Sequence, residues 1–461
     1  MFKKQDKGKR LKKWILIVLI VLVLIPLIGV LFLKFEGEKP VIELKIQSLV
    51  VPADFEITGT ADDRKSGIKK LWISFLQNGK ETVLLDEEYR TRGFLQKGGI
   101  HQVPIQLNIN AKKMNLSDGR AKLRIAAWDH AWRDWWKGNQ TYIEKEIRID
   151  TKPPVVSILS SQHNVAKGGS GLVIYKLSEQ CTQSGVFVGD DFFPGYSGYF
   201  KDHDLYLAFF AVPFDYSNKT DLFVKAVDPA GNRTRSGFYH HIRNKNFKPD
   251  TITISENFLN WKLPEFQAAD GFPSDKSSKD KFIFINKELR KKNNHTILQN
   301  GQKTGTQILW EGAFGRLPNS ARRANFADHR EYKYNGNVIS NAVHMGIDLA
   351  SVKHAEIPAA NQGKVVFAGY VGIYGNLVCI DHGCGLMSIY AHLSRMMVNN
   401  DDLVSKGEII GYTGTSGLAG GDHLHFGMFI DHVFVNPVEW WDSSWINNNI
   451  LSKLDAVQSM M

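Results

Sequence analysis

The chain has 461 residues, 43% hydrophobic and 23% charged, enough for about three domains and incompatible with wholesale disorder. Forty glycines and 15 prolines without a triplet period exclude a collagen-like fibre, and three cysteines (Cys181, Cys379, Cys384) are too few for a disulfide framework. The formal net charge of +10 sits mostly in residues 1–13, where Lys3, Lys4, Lys7, Lys9, Arg10, Lys12 and Lys13 face a single acid, Asp6. The rest of the chain is nearly balanced, so no nucleic-acid partner is expected.

After this basic tail (1–13), Trp14 to Leu33 is a run of 20 residues without a charge. At ~1.5 Å per residue a helix of that length spans about 30 Å, the hydrocarbon thickness of a bilayer. The spacing predicts a transmembrane helix over 14–33, with Trp14 at the interface. The excess of bases before it places the N-terminus in the cytoplasm and everything after residue 34 outside. The apolar run is longer than a signal-peptide core, and LFLKFEGEKP lacks a small-x-small cleavage site, so the helix is read as an uncleaved anchor.

From Pro40 to about Lys248, short alternating runs such as VIELKI (41–46), FEITGTA (55–61) and AKLRIAAWD (121–129) are separated by turn residues. Period-two alternation over such lengths predicts antiparallel β-sandwich. A weak repeat divides the region into modules 40–151 and 152–247. Lys39-Pro40-Val41 and Lys152-Pro153-Pro154-Val155 open them, and Ala127-Trp128-Asp129-His130-Ala131 and Ala226-Val227-Asp228-Pro229-Ala230 come late in each. The pattern resembles bacterial immunoglobulin-like modules. Each aspartate is read as capping a turn. Trp132, Trp135 and Trp136 form a cluster suited either to stacking on sugars or to packing a junction. Residues 248–307 are polar and breaker-rich, with a short charged helix over 286–298, and read as a connector. A glycine-rich β domain follows over 308–445, then a tail over 446–461.

Three clusters in that last domain carry the chemistry. In Asp422-His423-Leu424-His425-Phe426, a strand would put both imidazoles on one face and Leu424 and Phe426 on the other. Alone, H-x-H is as compatible with a polar strand face as with a metal. In His344-Met345-Gly346-Ile347-Asp348, two good zinc-ligand types share a face of extended chain, with Gly346 letting the backbone bend. Adding one further imidazole would give a His₂Asp set with an open fourth position, the pattern of a catalytic zinc. Tyr390-Ala391-His392-Leu393 supplies another histidine. His354, His382 and His432 are read as solvated turn residues, and Cys379-x₄-Cys384 as thiols or a disulfide rather than a metal site.

With these clusters in this order, and with Gly363-Lys364-Val365-Val366, Tyr374-Gly375-Asn376, Gly411-Tyr412-Thr413-Gly414 and Asn436-Pro437 among and after them, the segment from about Trp310 to Asp442 resembles the lysostaphin/LytM-type zinc metallopeptidases. The resemblance covers a quarter to a third of the chain. It implies Zn²⁺ held by His344, Asp348 and His425, and His392 and His423 as catalytic imidazoles, with His423 the choice for general base. On the family's pattern, Asn376, Thr413, Gly414 and Ser416 would edge the substrate groove.

The implied fold class is mainly β: a transmembrane helix, two immunoglobulin-like sandwich modules and a C-terminal antiparallel β metallopeptidase domain. The implied partners are peptidoglycan peptide and, through residues 14–33, the bacterial cytoplasmic membrane, with the catalytic domain in the periplasm or cell-wall space. The alternative is a non-catalytic envelope module that activates a separate peptidoglycan amidase.

Overall fold

The computed structural model describes residues 7–46, 48–90 and 99–461. Lys3, Lys4 and Asp6 of the basic tail, and Leu33's side chain, lie outside what is described. The chain is mainly β and divides into two compact units: residues 1–153 with 229–232, and residues 154–228 with 233–461.

The first unit opens with the helix Lys7–Lys34, whose Arg10–Phe32 stretch is long and apolar enough to cross a membrane and is not buried by protein. Beyond it, one three-stranded sheet (Val41–Lys45, Asp54–Asp62, Gln102–Asn110) and one five-stranded sheet share a core. The larger sheet runs Val50–Val51, Gln140–Ile149, Gly119–Asp129, Ile68–Gln77, Lys80–Glu88, with the first pair parallel and the rest antiparallel. Alternation decides the faces. Ala121, Leu123, Ile125 and Ala127 point into the core against Ile57, Ile73, Phe75 and Ile105, while Lys122 and Arg124 pair outside with Glu144. A one-residue slip would bury those charges. Trp132 packs on Phe35, just past the helix, and on Trp136, whereas Trp135 is 91% exposed.

In the second unit, residues 154–247 form two four-stranded sheets, centred on Ser170–Leu177 with Leu205–Ala211 and on Gln183–Val188 with Leu222–Val227. Their core is continuous with that of the C-terminal domain. Trp440, fully buried, packs between Phe209 on one side and Trp310 and Phe314 on the other, and its indole N–H donates to Ser170 Oγ.

Two stretches expected to be plain chain are packed elements. Residues 446–461 are largely helical and bury Ile450, Leu454 and Val457. Lys453 Nζ there donates to the Leu172 carbonyl. Residues 249–303 hold the strand Pro249–Ile254, parallel to His329–Tyr334, and the helices Glu256–Lys262, Ser278–Phe284 and Arg290–Leu298. Polar and charged residues surround their apolar ones, of which Ile254, Leu259, Phe266, Phe282, Ile285 and Ile297 are buried in the common core.

The C-terminal domain is built on an eight-stranded sheet. Its order is Ala321–Ala324, Ile347–Ala350, Leu424–Ile430, Leu386–Leu393, Gly375–Asp381, Gly363–Val371, Leu403–Val404, with Val433–Val435 on the far half of Leu424–Ile430. The strand Leu386–Leu393 is buried on both faces along its whole length, as expected of a central strand between two packed layers.

Candidate metal centre

Sheet register brings the separated clusters together. Asp348 lies opposite His425, and Ala391, beside His392, lies opposite His425 on its other flank. His344 leaves the strand Asn337–Val343, fixed by backbone hydrogen bonds to Ala327 and Asp328. Four chain segments thus deliver their side chains to one end of the central strands.

His344 Nε2 is 2.9 Å from Asp348 Oδ1 and 3.0 Å from His425 Nδ1, which is itself 3.0 Å from Asp348 Oδ1. The tautomers follow from what lies behind. His344 Nδ1 is 2.9 Å from the Asn325 carbonyl, which accepts its N–H and leaves Nε2 as a lone pair facing inward. His425 Nε2 is buried without a hydrogen-bond partner, pressed against Gly346, where an added Cβ would stand 2.5 Å away. Gly346 has no left-handed φ, so its role is close approach rather than the bend expected from sequence. Two imidazole lone pairs and a carboxylate oxygen converge within 3.0 Å, a donor set that fits a divalent metal such as zinc. Burial lowers His425 to about 4 against the pull of Asp348, so its imidazole is neutral, the ligating form. Burial alone would raise the Asp348 carboxyl, but the histidines around it, His344 foremost, hold it well below the usual carboxylate range.

Two further imidazoles face the same space, with ring centres 4.9 Å apart. His392 Nδ1–H is held by the Ser416 carbonyl at 2.8 Å, and His423 Nδ1–H by the Gly421 carbonyl at 2.8 Å. Each therefore presents Nε2 inward. His423 Nε2 stands 3.6 Å from Asp348 Oδ1, too long for a hydrogen bond but close enough for charge attraction. Burial, with His423 and His425 alongside, keeps His392 well below the usual imidazole range. For His423 burial also acts to lower, but Asp348 overrides it and the group is raised. His392 sits at φ 64°, a left-handed conformation that costs a non-glycine residue about 1 kcal/mol or more and is held here by surrounding structure.

Sequence reasoning missed Arg330. Its Nη2 donates to Asp348 Oδ2 at 2.9 Å, and its Nε lies 3.4 Å from Asp250 Oδ2. The guanidinium so fixes the carboxylate oxygen that the histidines leave free. Asp250 and Arg330 are register partners on adjacent parallel strands, a pairing 80 residues apart in sequence with no local signature. The centre opens into a cavity of about 340 Å³ whose far wall is Ile252, Ile254, Phe258, Phe282 and Arg290, all from the segment read as a connector. Arg290 is held by Asn286, its Nη2 donating to Oδ1 at 2.7 Å, and Asn286 is anchored on Ser340. Among the described residues no carboxylate pairs with Arg290.

The four residues expected to edge the groove do not line this cavity; they brace its walls. Ser416 accepts the Asn376 amide N–H on its Oγ and supplies the carbonyl that holds His392. Asn376 Nδ2 donates to the Leu393 carbonyl. Thr413 is fully buried and donates to Asp422 Oδ1 at 2.6 Å, while Gly414 bridges to His423. Small polar residues next to a histidine loop look alike in sequence whether they face substrate or chain, and here backbone satisfaction claims them. Asp422 turns to His354, away from the ligands, as alternation predicts. His382 is fully buried between the Gln362 carbonyl and Ser388 Oγ, not solvated, because both ring nitrogens find partners. Cys181, Cys379 and Cys384 are free thiols.

A model of Peptidase family M23 matches residues 342–437. DD-carboxypeptidase/endopeptidase Mpg of Neisseria meningitidis is 40% identical over 96 residues, 21% of this chain and 22% of that protein. Peptidoglycan DD-endopeptidase ShyA of Vibrio cholerae is 32% identical over 147 residues, 31% of this chain and 33% of that protein. The chain thus spans only a fifth to a third of the length of these curated relatives. Among solved structures, the catalytic domain of lysostaphin from Staphylococcus simulans aligns with 28% of this chain and 98% of its own, at 26% identity and a TM-score of 0.24.

Proposed function

We propose, from the premise that residues 342–437 form a peptidase family M23 domain, that this chain is a membrane-anchored zinc endopeptidase acting on peptide cross-links of bacterial peptidoglycan. The observation that carries it is the mutual approach of His344 Nε2, Asp348 Oδ1 and His425 Nδ1 to within 3.0 Å, beside two imidazoles whose Nε2 atoms face the same cavity. Zinc held by those three residues supplies a Lewis acid for the scissile carbonyl and acidifies water toward neutral pH. The chain's own groups handle the protons. His392, with Nδ1–H committed to the Ser416 carbonyl, presents Nε2 to the cavity to exchange a proton. His423, with Nδ1–H committed to the Gly421 carbonyl, presents Nε2 likewise, and between them the two imidazoles take the water's proton and donate to the developing oxyanion or the leaving amine. Arg290, held by Asn286 and without a carboxylate partner among the described residues, suits a substrate carboxylate on the opposite wall.

The test is digestion of purified peptidoglycan by the full-length protein in detergent, with fragments separated by chromatography. Cross-linked fragments fall to uncross-linked ones, a chelator stops the reaction, zinc restores it, and His425→Ala and His392→Ala are inactive. A folded, zinc-loaded protein that releases no fragments sinks the reading. One that only stimulates an added amidase replaces it with the activator role.

A further inference from the structure

The first unit holds a second convergence of metal-ligand atoms that the peptidase chemistry does not use. Glu36 follows the membrane helix, Asp63 follows the strand Asp54–Asp62, and Asp129 ends the strand Gly119–Asp129. Each offers a carboxylate oxygen within 4.8 Å of the other two, and the residues are only 5%, 4% and 0% exposed. Three like charges so close and so dry repel one another and lose hydration together unless a cation or protons intervene.

Hydrogen bonds reach one oxygen of Glu36, Oδ1 of Asp63 and both oxygens of Asp129. Ser66 N donates to Glu36 Oε1 at 2.9 Å. Gly67 N and Lys65 N both donate to Asp63 Oδ1, at 2.6 and 3.2 Å. Ala131 N and Asn139 N donate to Asp129 Oδ1 at 3.0 and 2.7 Å, and Asn139 Nδ2 to Oδ2 at 2.8 Å. Glu36 Oε2 is the exception: it is buried and has no hydrogen-bond partner at all. Lys65 Nζ, from the loop beside Asp63, forms its ion pair with Glu38 Oε1 at 2.7 Å. An orphaned carboxylate oxygen beside two other buried carboxylates is what a cation site looks like without its cation.

We infer that Glu36, Asp63 and Asp129 bind a calcium ion. The donors are all hard oxygens, with no nitrogen or sulfur, which disfavours zinc. A buried all-protein carboxylate cage suits calcium better than magnesium, which keeps its waters. The ion ties the residue just past the helix to two strands of the β module, stiffening that junction. It also gives Ala127-x-Asp129-x-Ala131 a chemical reason beyond turn capping.

Full-length protein in detergent, stripped with chelator, is dialysed against radioactive calcium at up to ~5 mM, above the range usual for extracellular sites. Wild type binds calcium, and Glu36→Gln and Asp129→Asn each hold one equivalent fewer. In parallel, hydrogen exchange on the wild type shows the amides of Ser66, Gly67, Ala131 and Asn139 slowing when calcium is added, a readout that does not depend on any variant folding. No binding by wild type, unchanged stoichiometry in both variants, or protection only elsewhere in the chain overturns the site. Equal protection by magnesium overturns the choice of ion.

Discussion

His344 and Asp348 are each oriented by a group behind them, the Asn325 carbonyl and Arg330, and that outer layer is where single substitutions are most informative. Arg330 touches no substrate in the proposed reaction, yet it holds the second oxygen of Asp348. Arg330→Met keeps the aliphatic stem and removes the fork. Zinc affinity, read by competition with a chelating dye, should fall about 10–100-fold, the usual effect of losing such an orienting partner. Gly346→Ala tests the opposite kind of contact. Its Cβ would stand 2.5 Å from His425 Nε2 and 2.7 Å from the Phe426 carbonyl, and the backbone oxygen cannot swing aside. Loss of bound zinc with retained secondary structure by circular dichroism is the expected outcome.

At the scale of elements, the turn joining Gly375–Asp381 to Leu386–Leu393 carries His382, neutral and fully buried. Burial lowers it to about 4 from an ordinary 6.5. The sign is that of a group whose folded pKa is depressed: its contribution is complete above pH 6.5 and disappears as pH falls toward 4. A shift of that size corresponds to about 3 kcal/mol. His382→Gln should therefore be less stable than wild type at pH 7, with the gap narrowing by up to that amount at pH 4.5, as followed by urea unfolding of the C-terminal sheet. The helix Arg290–Leu298 gives an element-level contrast. Sequence showed its charge and its helicity, but not its partner. Asn293 Oδ1 accepts the Ile373 N–H at 2.9 Å, and Asn294 accepts the Tyr374 hydroxyl, so this helix braces the loop over His425. Nothing local in a polar helix reports that contact.

For the molecule as a whole, the continuous core of the second unit makes Trp440 a seam residue between its β module and its peptidase sheet. Trp440→Ala should cost about 3–5 kcal/mol. Calorimetry should show the transition of residues 154–228 and 233–461 moving down as one, with that of the first unit unchanged. Of the two β modules expected from the repeat, only the first is a separate compact unit, since the second shares its core with the C-terminal sheet. The proposed anchoring predicts that a C-terminal reporter is active only when exported. It also predicts that the protein stays with membranes through high-salt washing and leaves only with detergent.

The sequence by itself determined whatever depends on short-range order. Twenty uncharged residues in a row specify a membrane-length helix, period-two alternation specifies strands, and the order of the His344, His392 and His423 clusters carries the family resemblance that makes them site candidates. Tertiary structure decided whatever depends on which strands become neighbours. It placed His425 between Asp348 and Ala391, supplied Arg330 through a parallel strand pair, and tied Asn376, Thr413, Gly414 and Ser416 into bonds behind the cavity. The reason is physical: propensity and periodicity act over a few residues. Sheet pairing joins segments tens of residues apart, and only the satisfaction of every buried polar group selects among the pairings.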